Sequence, residues 1–366
     1  MTAPPGPGWA EEALGLVLRR AGETSERVGD RFPLYADPAD GRWTTTGRGS
    51  WTGGFWAGLL WLRAAHTGCH TDREAAAAVT ARLAPWAEAD TATRGLILWY
   101  GTALTADDAA AQALRERAAK AATGAFDPER GLVPWGAALG GARLRARTDG
   151  VPGLVRLLAS AGPEGQAAAA AHLHRHLDLC LPQGGATGRP RPAWRWDDTH
   201  GWTPEADPAP GWTRGEAWLL LAVADALLLA EPASRPTDRL IRTVELLLDK
   251  CALLDGPLVP PAEAHHADGP LDTSAAAITA GALLKLARVP GAAWATACAS
   301  RAEAVLHRLA HAHLTRPGGP RPAGMLLDGC YDPHSGTAVR HELVWGDFFL
   351  ALGLAALLGR ADLTRV

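Results

Sequence analysis

The segment Arg147-Thr148-Asp149-Gly150-Val151-Pro152-Gly153-Leu154 sets a lone carboxylate at the mouth of an apolar helical run. A carboxyl group held there, beside aromatic faces that stack on sugar rings, has the parts of a glycan-processing acid or base. Asp149 also fits a plainer role, as a helix N-cap whose side-chain oxygen accepts an orphan amide. Three more junctions put polar groups just ahead of apolar helices: Arg48-Gly49-Ser50-Trp51-Thr52, Trp212-Thr213-Arg214-Gly215-Glu216 and Leu271-Asp272-Thr273-Ser274. Helix N-termini concentrate donors and positive potential, which favours an anionic ligand there. Arg48 and Arg214 are the side chains expected to grip its carboxylate, because a guanidinium pairs with it as a two-pronged fork. The alternative for each arginine is a structural or surface ion pair, and Asp272 before Thr273-Ser274 reads as an N-cap.

A second polar stretch, Arg195-Trp196-Asp197-Asp198-Thr199-His200-Gly201-Trp202, ends in a histidine able to donate or accept a proton near neutral pH. His200 is a candidate for orienting or protonating a ligand, against the alternative of plain solvent exposure. Trp51, Trp56, Trp135, Trp212 and Trp218 are candidate stacking surfaces, whereas Trp61, Trp86, Trp99 and Trp294 read as packing. His265-His266 and Asp332-Pro333-His334 lack a third ligand at zinc spacing, so no metal is expected. No G-x-S-x-G elbow and no lysine-bearing phosphate loop occurs, so neither a serine nucleophile nor a cofactor is called for.

Period-3.6 patterning with Gly and Pro punctuation predicts helices near 9–28, 54–67, 72–88, 93–104, 108–124, 151–161, 164–180, 213–231, 235–253, 273–288, 291–312 and 344–358. Strand-like alternation is sparse, confined to Arg31-Phe32-Pro33-Leu34-Tyr35 and Gly324-Met325-Leu326-Leu327, so an all-α class is expected. The Pro/Gly-rich stretches 182–212, 255–272 and 315–340 are dense in Trp, Asp and His, as ordered functional loops are, and no tether divides the chain. Six helical hairpins closing into one ring over residues 1–366 account for the length without a second domain. Inner helices of such a ring are apolar nearly all round, and their leading loops converge on one face.

The formal net charge of −3, with no basic stripe, argues against a nucleic-acid partner. No apolar run reaches membrane-spanning length and the first residues do not form a signal peptide, so a cytoplasmic protein is expected, working as a monomer or homodimer on a small sugar-like or polycyclic substrate. Five scattered cysteines suggest neither a disulfide framework nor a zinc site. The 15 tryptophans against 3 tyrosines and 5 phenylalanines are harder to discount, since each indole needs a deep core or a ligand to cover it.

Taken in order, Phe32-Pro33 with Gly53-Gly54-Phe55-Trp56-Ala57-Gly58-Leu59-Leu60-Trp61, Thr148-Asp149, Trp212-Thr213-Arg214-Gly215-Glu216-Ala217-Trp218, Asp272-Thr273-Ser274-Ala275-Ala276-Ala277-Ile278 and Trp345-Gly346-Asp347-Phe348-Phe349 resemble the unsaturated glucuronyl hydrolases and the related unsaturated rhamnogalacturonyl hydrolases. The resemblance implies an (α/α)6 toroid. It also implies hydration of the C4=C5 double bond of a terminal unsaturated uronic acid, giving a hemiketal that collapses and releases the sugar. Such chemistry needs an acid to protonate the enol-ether carbon, a base to aim water, and a group to fix the uronate carboxylate. Asp149 falls where the family places its general acid/base, and His200 near its substrate-contacting histidine.

Two positions depart from the family pattern. Ala92-Thr93-Arg94-Gly95-Leu96 stands where the family has His-Asp-x-Gly-Phe, so Thr93 replaces a second carboxylate, with Asp90 about one turn away as a partial substitute. Glu216 stands where the family has Gln, adding a charge that raises a neighbouring carboxyl pKa or supplies a base of its own. Two other readings follow from these departures: the same fold turned to a hydratase, dehydratase or cyclase reaction on a specialised metabolite, and a degenerate, non-catalytic sugar-binding protein.

Overall fold

The computed structural model describes residues 7–105, 107–182, 188–229 and 236–366. Among these residues twelve α-helices follow the order of the sequence periodicity, several of them shorter than expected: α1 (Gly8–Val28), α2 (Gly53–Thr67), α3 (His70–Ala81), α4 (Tyr100–Thr102), α5 (Ala109–Gly124), α6 (Leu154–Ala159), α7 (Gly162–Cys180), α8 (Thr213–Leu229), α9 (Pro236–Lys250), α10 (Thr273–Leu286), α11 (Ala295–Arg308) and α12 (Val344–Leu357). The short α4 continues a π-helical turn, Gly95–Trp99.

Even- and odd-numbered helices differ in how they are buried. Every residue of α8 from Thr213 to Asp225 and of α12 from Val344 to Ala355 is buried. By contrast α3 buries only Ala76, Val79 and Thr80, the single stripe of a helix lying on a core. The buried helices pack in succession, α2 on α12, α12 on α10, α10 on α8, α8 on α6, and α6 on the Gly95–Trp99 turn, which returns to α2. Each also packs against the odd-numbered helix beside it in sequence, as α3 does on α2, α7 on α6, α9 on α8 and α11 on α10.

Small residues make this packing possible. A Cβ at Gly54 would sit 2.2 Å from the Ile97 carbonyl oxygen, and one at Gly95 would sit 2.0 Å from the Leu154 nitrogen. At the C-terminal ends of the buried helices, Asp225 of α8 accepts from Arg156 Nε of α6 (3.0 Å) and Lys285 Nζ of α10 (2.5 Å). Burial pulls the Lys285 pKa down to about 8 despite the neighbouring carboxylate.

The fold is predominantly helical but not purely so, which corrects the all-α expectation. Strands β1 (Phe32–Ala36), β2 (Trp43–Thr46), β3 (Arg145–Arg147), β4 (Ala193–Asp197), β5 (Gly201–Pro204), β6 (Gly329–Asp332) and β7 (Thr337–Leu343) form a four-stranded sheet of order β2-β1-β7-β6 and a three-stranded sheet β3-β4-β5. All pairings are antiparallel. The strand expected near Phe32 exists, whereas in 324–327 only Leu326 pairs, through an isolated bridge to Leu314. Both sheets lie in the segments that lead into buried helices.

Gly95→Ala is expected to lower the free energy of unfolding by at least about 1–3 kcal/mol, because a methyl group there has no space to enter. Gly8→Ala, with nothing within 4 Å of the added carbon, should leave the urea midpoint unchanged within error.

Candidate active site

The segments leading into the buried helices converge on a cavity of about 360 Å³. Trp51 comes from the approach to α2, Thr93 from just before the π-helical turn and Leu96 from within it, and Arg145, Arg147 and Asp149 from β3 and the approach to α6. Trp212, Arg214 and Trp218 belong to the head of α8, and Glu263 to the α9–α10 connection. Tyr331, Asp332 and His334 come from the β6–β7 hairpin, and Trp135 and Asp207 complete the wall.

Asp149 is not a helix cap. Its two oxygens accept from Arg147, Nε to Oδ1 at 2.9 Å and Nη2 to Oδ2 at 3.1 Å, and α6 begins after Gly153 with no side-chain cap. Burial opposes the charge on Arg147, yet the Asp149 carboxylate beside it raises the guanidinium pKa overall. Alternation along β3 turns Arg145 and Arg147 the same way into the cavity, and the 3-10 turn Thr148–Gly150 that follows brings Asp149 back beside Arg147.

Arginines and aromatic rings alternate around the wall. The Arg147 guanidinium lies 4.9 Å from the Trp135 ring and 6.0 Å from Trp212, and Arg214 lies 5.3 Å from Trp212 and 5.6 Å from Trp345. Trp345 is 4.8 Å from Trp51, whose indole N–H donates to the Tyr331 hydroxyl at 3.2 Å. Cation–π contacts of this kind contribute about 0.5–2 kcal/mol each, more where they are dry. Every cavity arginine also has a carboxylate of the protein: Arg145 donates to Glu205 (2.9 Å), Arg147 to Asp149 and Arg214 to Asp272 (2.5 Å). Asp272 uses its other oxygen to cap α10, accepting from the Ser274 N–H at 3.0 Å, so it is both N-cap and ion-pair partner. On the opposite wall, hydrogen bonds from Ser335 overcome burial and hold Asp332 below the ordinary carboxylate range.

Several candidates stand elsewhere. His200 is at the β4–β5 turn with a side chain 73% exposed, held by Asp197 and outside the cavity lining. Glu216 lies two residues beyond Arg214, nearly half a helical turn away, and so faces a different, smaller cavity of about 100 Å³, where Arg189 grips both its oxygens. Burial there pushes its carboxyl pKa up, against the pull of Arg189. Asp90 is taken up by Arg143 Nε (2.9 Å) and the Ala137 N–H (3.0 Å), stitching the 136–143 loop, and so does not replace the missing carboxylate in the cavity. The exposed Arg48 side chain lies over Trp86, 5.6 Å from its ring, and the buried Trp56 packs among Val17, Leu59 and Val344. Sequence reasoning did not single out Arg145, Glu263 or Tyr331. The Arg-x-Arg-x-Asp alternation was the available signal for the first.

Two buried histidines support Asp149 from behind. The Val133 N–H donates to His172 Nδ1 (3.1 Å), which leaves the His172 proton on Nε2, 3.3 Å from the Gly150 carbonyl. His176 Nδ1–H donates to the His172 carbonyl at 2.8 Å.

These features define a predominantly helical fold whose buried helices pack in succession beneath a tryptophan-walled, charge-lined cavity. No protein-family model matches the chain. The particular fold is that of the unsaturated glucuronyl hydrolases. The enzyme from Bacillus sp. GL1 superposes with a TM-score of 0.81 at 21% identity over 95% of this chain and 96% of that one. A heparin-specific unsaturated glucuronyl hydrolase gives 0.81 at 19% identity, covering 97% and 99%. An Asp-to-Asn variant carrying dGlcA-Glc-Rha-Glc gives 0.82 at 22%, covering 95% and 96%. In sequence, the unsaturated glucuronyl hydrolase of Bacillus sp. (strain GL1) is 35% identical over 66 residues, which span 18% of this chain and 17% of that protein.

Burial lowers the His176 pKa to about 4 from the ordinary 6.5. Between those values the unfolded chain binds the proton and the folded chain does not, so the contribution is complete above about 6.5 and lost as pH falls toward 4. The urea midpoint is therefore expected to drop between pH 7 and pH 5. His176→Asn, whose amide can still donate to the His172 carbonyl, should lessen that drop without abolishing it, because burial also lowers the His172 pKa.

Proposed function

We propose that this protein is a divergent unsaturated glucuronyl hydrolase, a single (α/α)6 toroid over 1–366 whose six hairpins close into a ring. In this reading it hydrates the enol-ether double bond of an unsaturated uronic acid or similar sugar acid, in the cytoplasm, as a monomer or homodimer. The observation that carries the reading is Asp149, lining a tryptophan-walled cavity at the approach to α6, in a fold shared with enzymes of this type. The sugar ligand carried by one of those neighbours, dGlcA-Glc-Rha-Glc, supports a sugar-like substrate here.

Hydration adds a proton to the enol-ether carbon and water to the oxocarbenium carbon, and the hemiketal then opens to release an alcohol. In this proposal Asp149 moves the proton and activates the water, while Arg147 holds its carboxylate in place. The cavity indoles face the developing positive charge, which their ring faces stabilise. Thr93 offers only a hydroxyl, itself engaged with Thr91 at 2.8 Å, so any second carboxylate comes from Asp207, Glu263 or Asp332, which also line the cavity.

One observation favours a second reading. All three cavity arginines are already paired with carboxylates of the protein, so a substrate carboxylate has to compete for them. A less acidic specialised metabolite, hydrated, dehydrated or cyclised by the same Asp149, needs no such competition.

The deciding experiment follows the ultraviolet absorbance of a Δ4,5-unsaturated glucuronyl disaccharide. Wild-type protein is expected to remove it, and Asp149→Asn to do so about 10²- to 10⁴-fold more slowly. Turnover by that variant at the normal rate would remove Asp149 from the mechanism. A wild-type protein inert toward uronates of several linkages would shift the assignment to the second reading.

A further inference from the structure

Glu263, His265 and His266 share one turn in the connection between α9 and α10. The turn is closed by the His266 N–H donating to the Glu263 carbonyl (2.9 Å), and it is tied to the approach to α8 by the Ala264 N–H donating to the Gly211 carbonyl (2.8 Å). Adjacent side chains in an extended segment point to opposite sides. This turn instead brings both imidazoles together, with ring centroids 4.2 Å apart and planes tilted by 56°. His266 Nδ1 lies 3.0 Å from Glu263 Oε2, and His265 Nε2 lies 4.0 Å from Oε1. The potential ligand atoms of all three side chains fall within 4.8 Å of one another.

We propose that these three side chains bind a divalent transition-metal ion of the zinc type at the rim of the main cavity. Two imidazoles and one carboxylate with an open fourth side make a ligand set that suits zinc, whereas magnesium and calcium prefer oxygen alone. With metal–ligand bonds of about 2.1 Å, the donor atoms of a tetrahedral site stand about 3.4 Å apart. The Glu263 separations of 3.0 and 4.0 Å bracket that value, and imidazoles 48% and 60% exposed have room to rotate to close the rest.

The carboxylate is better fixed than the rings. Glu263 is only 11% exposed, and His334 Nε2 approaches its Oε1 at 3.1 Å from the neighbouring β6–β7 hairpin. An outer contact of this kind orients a ligating carboxylate. In the metal-free protein His266 donates its Nδ1 proton to Glu263, so coordination through Nδ1 moves that proton to Nε2 or to solvent. The bound ion would neutralise a carboxylate that faces the cavity and would lock the α9–α10 connection against the approach to α8. The sequence signal is compact, Glu-x-His-His, with the third ligand two and three residues before the histidines.

Titration calorimetry with zinc chloride on chelator-treated protein tests this. Wild-type protein is expected to take up one equivalent, with at least about tenfold weaker binding after His265→Ala, His266→Ala or His334→Ala. His307→Ala/His311→Ala, which removes an exposed stacked histidine pair elsewhere, should bind as wild type, and so should Asp149→Asn, which separates this site from the catalytic reading. Saturable uptake that survives both His265→Ala and His266→Ala, or no saturable uptake by the wild type, would overturn the proposal.

Discussion

Backbone contact between neighbouring buried helices governs this molecule. Where Gly54 meets the Ile97 carbonyl and Gly95 meets Leu154, two helices touch with no side chain between them. Six buried segments can then pack closely in succession. Their approaches have nowhere to go but one shared end, and that end is where Trp51, Thr93, Asp149, Trp212, Glu263 and Tyr331 meet. Phe55, Tyr100, Phe348 and Phe349 pack between the buried helices, and toward the other end Arg156, Asp225 and Lys285 form a buried charge cluster. Such a buried cluster serves geometry better than stability, since desolvation offsets most of its Coulombic gain.

At the open end, the wall keeps its shape because two of its three arginines are held in two ways. Ring faces of Trp135, Trp212 and Trp345 hold the flat sides of Arg147 and Arg214, while carboxylates hold their edges. A guanidinium fixed on both counts loses little entropy when a ligand arrives, so the pocket is ordered in advance. The same completeness sets the terms for any anionic ligand, which must displace an internal partner and not simply fill a vacancy. Asp149 is the member of this network closest to the chemistry proposed, and the His172–His176 pair behind it is built of neutral imidazoles, giving a support that carries no charge of its own.

Much of the architecture was legible in the sequence because buried and half-buried helices carry different patterns. Continuous apolar runs marked α8, α10 and α12, and striped ones marked α1 and α5. The hairpins β4–β5 and β6–β7 escaped notice because their strands are short, turn-rich and only partly buried, which blurs the alternation that reveals a strand. Site residues were legible where one local rule sets the direction of a side chain. Arg214 and Trp218, four apart, share the helix face that looks into the cavity, whereas Glu216 between them faces away. Thr93 stood out as a departure, but the fate of Asp90 depended on a loop partner, Arg143, 53 residues downstream in sequence. No periodicity records that kind of pairing.

The tryptophan-rich wall has a spectroscopic consequence. Four of the 15 indoles, Trp51, Trp135, Trp212 and Trp218, border the cavity, and three of them are only half-buried. A molecule entering there replaces water beside those rings and changes the polarity each excited indole senses, while the core indoles stay as they were. Occupancy of the cavity is therefore written into the emission of the unlabelled protein, and a fluorescence titration can rank candidate ligands before any reaction is known.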